Sequence, residues 1–200
     1  FAPSFDERLA HLEYRAPALA GEAVGRAVGA PQADLAVLDA GCGTGLCGQH
    51  LRPYARELVG VDLSAEMLAR AGGRGLYDRL VQQELTTHLR GCADAFDLIA
   101  SADTLVYFGA LAAVLEAAAR ALRPGGHLVF TLERTDPDAA PTGYSLNASG
   151  RYSHTLPYVE SALRSAGLTL LGAERVVPRK ENGSDVDGLL VVAQRPAPAA

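Results

Sequence analysis

Apolar residues arrive along this chain in short runs separated by polar, glycine-rich or proline-rich breaks. The runs at 35–38, 58–61, 80–83, 96–100 and 127–132 are four to six residues long and bounded by turn residues, so they predict five strands. Between them lie stretches that predict helices: 45–54, 64–71, a short one near Thr87, and the alanine-rich 110–122. Ser64 supplies an N-cap hydroxyl, and Pro124-Gly125-Gly126 stops the last helix. Nearer the start, Ser4-Phe5-Asp6-Glu7 has the order of a capping box and predicts a short helix to about Leu12. Pro17 suits the first turn of a second helix, which runs to about Val28 and is closed by Gly29 and Pro31.

Strands that alternate with helices predict an α/β fold, a Rossmann-like doubly wound sheet whose parallel strands are covered on both faces. The last quarter reads differently. Residues 137–150 are rich in Pro, Gly, Ser and Asn and predict a loop, and 156–166 predicts a helix. Strands at 168–177 and 188–193, joined by the polar turn 181–187, predict a C-terminal antiparallel hairpin that completes a seven-stranded, mostly parallel sheet. The expected organisation is an N-terminal helical segment at 1–34 covering the site, a main domain at 35–195 and a frayed tail at 196–200.

A chain of 200 residues can bury one substantial core. With 48% hydrophobic and 20% charged residues it reads as an ordinary globular domain, and no apolar run reaches the length of a membrane span. The formal net charge is −5, and the richest basic stretch, 175–180, holds three cations and meets Glu181 at once, so a nucleic-acid partner is not expected. Cys42, Cys47 and Cys92 cannot all pair, which fits a reduced, cytoplasmic setting. No CxxC or spaced histidine pair is present, so no metal is expected.

The chemistry concentrates where the first strand ends, in Asp39-Ala40-Gly41-Cys42-Gly43-Thr44-Gly45. Alternating glycines suit a ligand lying close to the backbone. Residues 43–48 also satisfy GxGxxG, the dinucleotide fingerprint, so a nicotinamide-dependent oxidoreductase is the rival reading. Asp62 ends the second strand and would hold ribose hydroxyls in either class. Asp39 separates the two, because a carboxylate there would repel a pyrophosphate but attract the ammonium and sulfonium of S-adenosylmethionine. The helix expected after Gly45 would offer free N–H groups to the methionyl carboxylate. A third possibility is a non-catalytic S-adenosylmethionine-binding module.

These residues make the chain resemble the class I S-adenosylmethionine-dependent methyltransferases. Leu38 to Gly45 resembles the family's first motif, and Gly60-Val-Asp-Leu-Ser64 with Glu66-Met67-Leu68 resembles its ribose-binding acid and capped helix. Phe96-Asp97-Leu98-Ile99 and Leu122-Arg-Pro-Gly-Gly-His-Leu128 are similar to its fourth-strand motif and the turn into its fifth strand. Tyr14-Arg15-Ala-Pro17, Arg74 to Tyr77, Asp103 to Gly109 and Ser149 to His154 are similar to bacterial methyltransferases often fused behind tetratricopeptide repeats, and to the Williams–Beuren-region methyltransferases. A repeat domain ahead of it would account for a start at Phe1.

The resemblance implies S-adenosyl-L-methionine as cofactor, S-adenosyl-L-homocysteine as product, and direct in-line methyl transfer to a small-molecule or protein acceptor. It implies that Asp39, Gly41, Cys42, Gly43 and Gly45 surround the methionyl part. Asp62 would take the ribose, and Leu63, Met67, Glu84 and Leu85 would meet the adenine. Ser101 would lie beside the cofactor, with Tyr14 and Arg15 closing over it. At the carboxyl ends of the later strands, Asp103 and His154 are the candidate catalytic groups, and Tyr107, Glu133, Arg151 and Tyr152 the candidate acceptor contacts. Asp97 lies at the opposite edge and reads as structural.

Overall fold

Strand β1 (Leu35–Ala40) is buried along nearly its whole length, because it lies in the middle of a sheet with helices on both faces. The computed structural model describes residues 13–198, so the predicted capping box at Ser4 and the helix to Leu12 lie outside the described residues. Ahead of β1, α1 (Ala16–Val28) carries Pro17 in its first turn and ends at Gly29, whose φ is 84°. After β1 come α2 (Gly48–Leu51), β2 (Ala55–Asp62), α3 (Ala65–Gly73), β3 (Arg79–Gln82), α4 (Leu85–Arg90) and β4 (Phe96–Ser101). Then follow α5 (Ala112–Ala121), β5 (Leu122–Arg134), β6 (Tyr144–Leu146), β7 (Tyr152–His154) and α6 (Leu156–Ser165). The chain closes with β8 (Thr169–Val176), β9 (Lys180–Glu181), β10 (Ser184–Asp185) and β11 (Gly188–Gln194).

The main sheet runs in the order β3-β2-β1-β4-β5-β11-β8. The first five strands are parallel, and β11 is antiparallel to both β5 and β8. Side chains alternate across it with the strand period of two. Leu38, Ile99, Phe130 and Val191 face α4, α5 and α6, while Val37, Leu98, Val129 and Leu190 face α1 and α2. Alanines at 16, 20 and 23 let α1 sit close against the sheet.

Three details depart from the sequence reading. The helix expected over 45–54 is one α-turn followed by the 3₁₀ turn Arg52–Tyr54, because Gly45 holds a φ of 86° and Pro53 offers no N–H. Pro124-Gly125-Gly126 does not separate α5 from the fifth strand: Leu122 already pairs with Phe96, and the interruption is taken up as a register shift. The predicted loop 137–150 contains β6, which pairs with β7, and β7 lies parallel beside the end of β5. Among the described residues the sheet therefore has nine strands rather than seven. Among the described residues, no helix is long and apolar enough to cross a membrane.

Candidate active site

The carboxyl ends of β1, β2, β4 and β5 open on one side of the sheet, where the glycine loop follows β1. Gly41, Gly43 and Gly45 have φ values of 80°, 53° and 86°, a region open to glycine at no steric cost. The amides of Gly41 and Cys42 both donate to Val61 O at 2.9 Å, which ties the loop to β2. The glycines serve different neighbours. Thr104 fills the space a Cβ on Gly41 would need and donates to Gly41 O at 3.1 Å. The Tyr77 side chain lies 3.0 Å from where a Cβ of Gly45 would stand and 2.6 Å from that of Gly48. Only at Gly43, of these four, would a Cβ meet nothing within 4 Å. Its amide donates to Asp62 Oδ2 at 2.9 Å, and Asp62 Oδ1 accepts from the Ser64 amide at 2.8 Å.

Asp39 stands behind this loop, 1% exposed, and does not form part of either cavity wall described below. Its Oδ2 accepts the Tyr77 hydroxyl at 2.6 Å, and Oδ1 is buried with no hydrogen-bond partner among the described residues. Burial pushes its carboxyl up to about 7, against the Tyr77 hydrogen bond and with help from the charge of Asp62. Burial likewise raises the thiols of Cys42 and Cys47, so both stay protonated and unreactive.

Two cavities share the loop as a wall. The larger, about 470 Å³, runs between Gly43, Asp62 and Met67 on one side and Tyr14, Asp103, Tyr107, Arg151 and Arg179 on the other. The second, about 260 Å³, is lined by Leu63, Gln83, Glu84, Leu85 and Phe108. Gly41, Asp62, Thr104 and Tyr107 border both. Glu84 is also the N-cap of α4: its carboxylate accepts from the amides of Thr86 and Thr87 at 2.8 and 2.7 Å and from the Thr87 hydroxyl at 2.8 Å.

Around Asp103 the acceptor candidates form a charge network. Arg179 is 2% exposed; its Nη1 donates to Asp103 Oδ1 at 2.6 Å and its Nη2 to Glu133. Asn147 donates to Glu133 Oε2 at 2.8 Å and to Ser153 Oγ at 2.6 Å. Arg151 donates to Glu181 at 3.2 and 3.3 Å. Burial raises the Asp103 carboxyl, and Arg179 opposes the rise.

Other candidates sit elsewhere. His154 lies at the end of β7; it is fully buried, donates from Nε2 to Gly109 O at 2.9 Å and stacks on Tyr158. Tyr152 packs edge-on to Tyr144 and against Gly109. Neither lines either of these two cavities. Glu133 reaches the larger cavity only through Arg179. Ser101 is buried and donates to Ala40 O at 2.9 Å, joining β4 to β1. Arg15 is exposed, and its amide donates to Pro178 O at 2.7 Å. Asp97 accepts the Ala36 amide at 2.8 Å and Arg123 Nη1 at 2.6 Å at the far edge, a structural role. The sequence reading missed Tyr77, Thr104 and Arg179. Arg179 lay in the basic stretch 175–180, where local pattern gives no sign that it turns inward.

Residues 38–130 match a protein family described as a methyltransferase domain. The human methyltransferase-like protein 27 is 44% identical over 81 residues, covering 40% of this chain and 33% of that protein, so the match spans a third of that relative. An S-adenosylmethionine-dependent methyltransferase from Mesorhizobium loti superposes with a TM-score of 0.63 at 27% identity, covering 88% of this chain and 98% of that one. The 1,6-didemethyltoxoflavin N1-methyltransferase of Burkholderia thailandensis, solved with bound S-adenosylhomocysteine, shares the fold at a TM-score of 0.72 and 24% identity, covering 96% of this chain and 83% of that one. With the strand order and the glycine loop, these matches show that residues 38–130 form a methyltransferase domain and that the chain has the class I fold of S-adenosylmethionine-dependent methyltransferases.

Proposed function

We propose that this chain moves the methyl group of S-adenosylmethionine to a small-molecule or protein acceptor. The observation that carries this is the larger cavity, which joins an open glycine and a loop-anchored acid, Gly43 and Asp62, to a polar wall at Asp103, Tyr107 and Arg151. The cofactor suits its residues: Asp62 for ribose hydroxyls, Met67 beside it, and Leu63, Leu85 and Glu84 around the second cavity for a flat aromatic base. When bound, the sulfonium supplies an already activated methyl group. The chain's own work is alignment and exclusion of water. In this reading Asp39 sets the field behind the loop, while Tyr14 and Pro17 bring the segment ahead of β1 over the cofactor as a cover. Cys42, Cys47 and Cys92 are free thiols, in keeping with a cytoplasmic setting.

Calorimetric titration tests the proposal. S-adenosylmethionine and S-adenosylhomocysteine are expected to bind and NADH is not; tight NADH binding would sink it. Asp62→Ala is expected to weaken S-adenosylhomocysteine about tenfold or more, the loss of one or two hydrogen bonds to a charged group. The same affinity in that variant would move the cofactor away from β2.

A further inference from the structure

We infer that the acceptor taken by the larger cavity carries a basic amine, which Asp103 holds in its ammonium form; this rests on the methyl-transfer reading above. Two cations line that cavity among the described residues, and both are committed to carboxylates. Arg179 is paired with Asp103 and Glu133, and Arg151 with Glu181. Three carboxylates against two guanidinium groups leave one negative charge in excess. That charge is expensive to hold away from water without a partner. An anionic acceptor would double the excess, a neutral one would leave it, and an ammonium group cancels it. Asp62 lines the other side of the same cavity, where the methyl-transfer reading puts the cofactor's own positive charge.

Asp103 is placed for the task. Its side chain keeps 13% of its surface and lines the cavity, with Oδ1 on Arg179 and no hydrogen-bond partner for Oδ2 among the described residues. Its φ is 58°, and its amide donates to Thr131 Oγ1 at 2.8 Å. A non-glycine residue held there bears a strain of about 1–2 kcal/mol, of the kind that collects at functional sites. Tyr14 and Tyr107 line the same cavity, and Tyr107 is 61% exposed. Aromatic rings beside an acid suit a cation. An amine must be neutral before its lone pair can act. Burial makes Asp103 a stronger base than an ordinary carboxylate, the direction required of a group that receives the ammonium proton.

The test uses three probes of one shape, benzylamine, benzoate and benzyl alcohol, titrated into the chain already saturated with S-adenosylhomocysteine. Benzylamine is expected to bind at least about tenfold more tightly than the other two. Asp103→Asn, which tolerates a left-handed backbone, is expected to erase that preference and leave S-adenosylhomocysteine affinity within about twofold. Tyr107→Leu, at an exposed position, is expected to weaken benzylamine about threefold or more without altering benzoate. Equal binding, a preference for benzoate or no binding of any probe overturns the inference. A loss of S-adenosylhomocysteine affinity of about tenfold in Asp103→Asn also overturns it, since Asp103 would then serve the cofactor's ammonium. Failure of the wild type to bind S-adenosylhomocysteine, in the loading step, would instead strike the function itself.

Discussion

The Tyr77 hydroxyl is the hydrogen-bond partner of a carboxylate that the fold has otherwise sealed in. Its ring stands against Gly45 and Gly48, and its oxygen donates to Asp39. Tyr77→Phe keeps the ring and removes the bond, so it is expected to destabilise the fold by about 1–3 kcal/mol, read from chemical denaturation. A smaller change than that would mean Asp39 finds water instead. The pH dependence of stability has a definite sign. Asp39 titrates near 7 in the fold against an ordinary 3.8, so the folded chain keeps a proton that the unfolded chain has released. Stability therefore falls as pH rises through that window, and levels off above about 7. Buried neutral histidines, such as His154, act in the opposite sense. Comparing wild type with Asp39→Asn cancels them. The variant is expected to lose less stability than the wild type between about pH 5 and pH 7.5, and parallel curves would rule out Asp39 as the titrating group. At this scale the sequence was ambiguous for a physical reason. A glycine crowded by a tyrosine ring and one that faces open space look the same, and of Gly41, Gly43, Gly45 and Gly48 only Gly43 faces open space.

Elements were legible where one local rule decided them. Short apolar runs gave the parallel strands, and Ser64 does cap α3, accepting the Met67 amide at 3.3 Å. Elements set by tertiary partners were not legible. β6 and β7 exist because Tyr144, Tyr152, His154 and Tyr158 cluster beside the end of β5, which a proline- and glycine-rich stretch does not announce. The caps allow site and scaffold to be separated. Thr155 caps α6 by accepting the Tyr158 amide at 3.4 Å and lines neither cavity. Thr155→Ala is expected to lower stability by about 1 kcal/mol and leave cofactor affinity unchanged. Ser64 also lines the larger cavity, so Ser64→Ala is expected to bring a similar loss of stability together with weaker S-adenosylhomocysteine binding. Equal affinity losses in the two variants would mean that binding simply follows stability.

At the scale of the molecule, the far wall of the cavity is assembled from segments that no sequence window contains. Asp103 follows β4, Glu133 ends β5, Arg151 precedes β7, and Arg179, 76 positions beyond Asp103, comes from the connection between β8 and β9. The segment ahead of α1 is fastened to the same connection, with the amides of Arg15 and Ala16 donating to Pro178 O at 2.7 and 3.1 Å. This is why the glycine-loop wall could be read from one run of residues and the facing wall could not. It also makes Arg179 a keystone. Arg179→Met removes the cation and leaves Asp103 and Glu133 buried and facing each other, a change that typically costs about 3–5 kcal/mol. Adding Glu133→Gln to that variant removes one of the two stranded charges. The double variant is therefore expected to lie well above the sum of the single losses, by about 1 kcal/mol or more in a double-mutant cycle. Asp62 and Gly43 lie outside this network, so S-adenosylhomocysteine affinity is expected to stay within about twofold in both folded variants. Strict additivity would show that the two carboxylates do not depend on the shared arginine, and that the wall is held by packing instead.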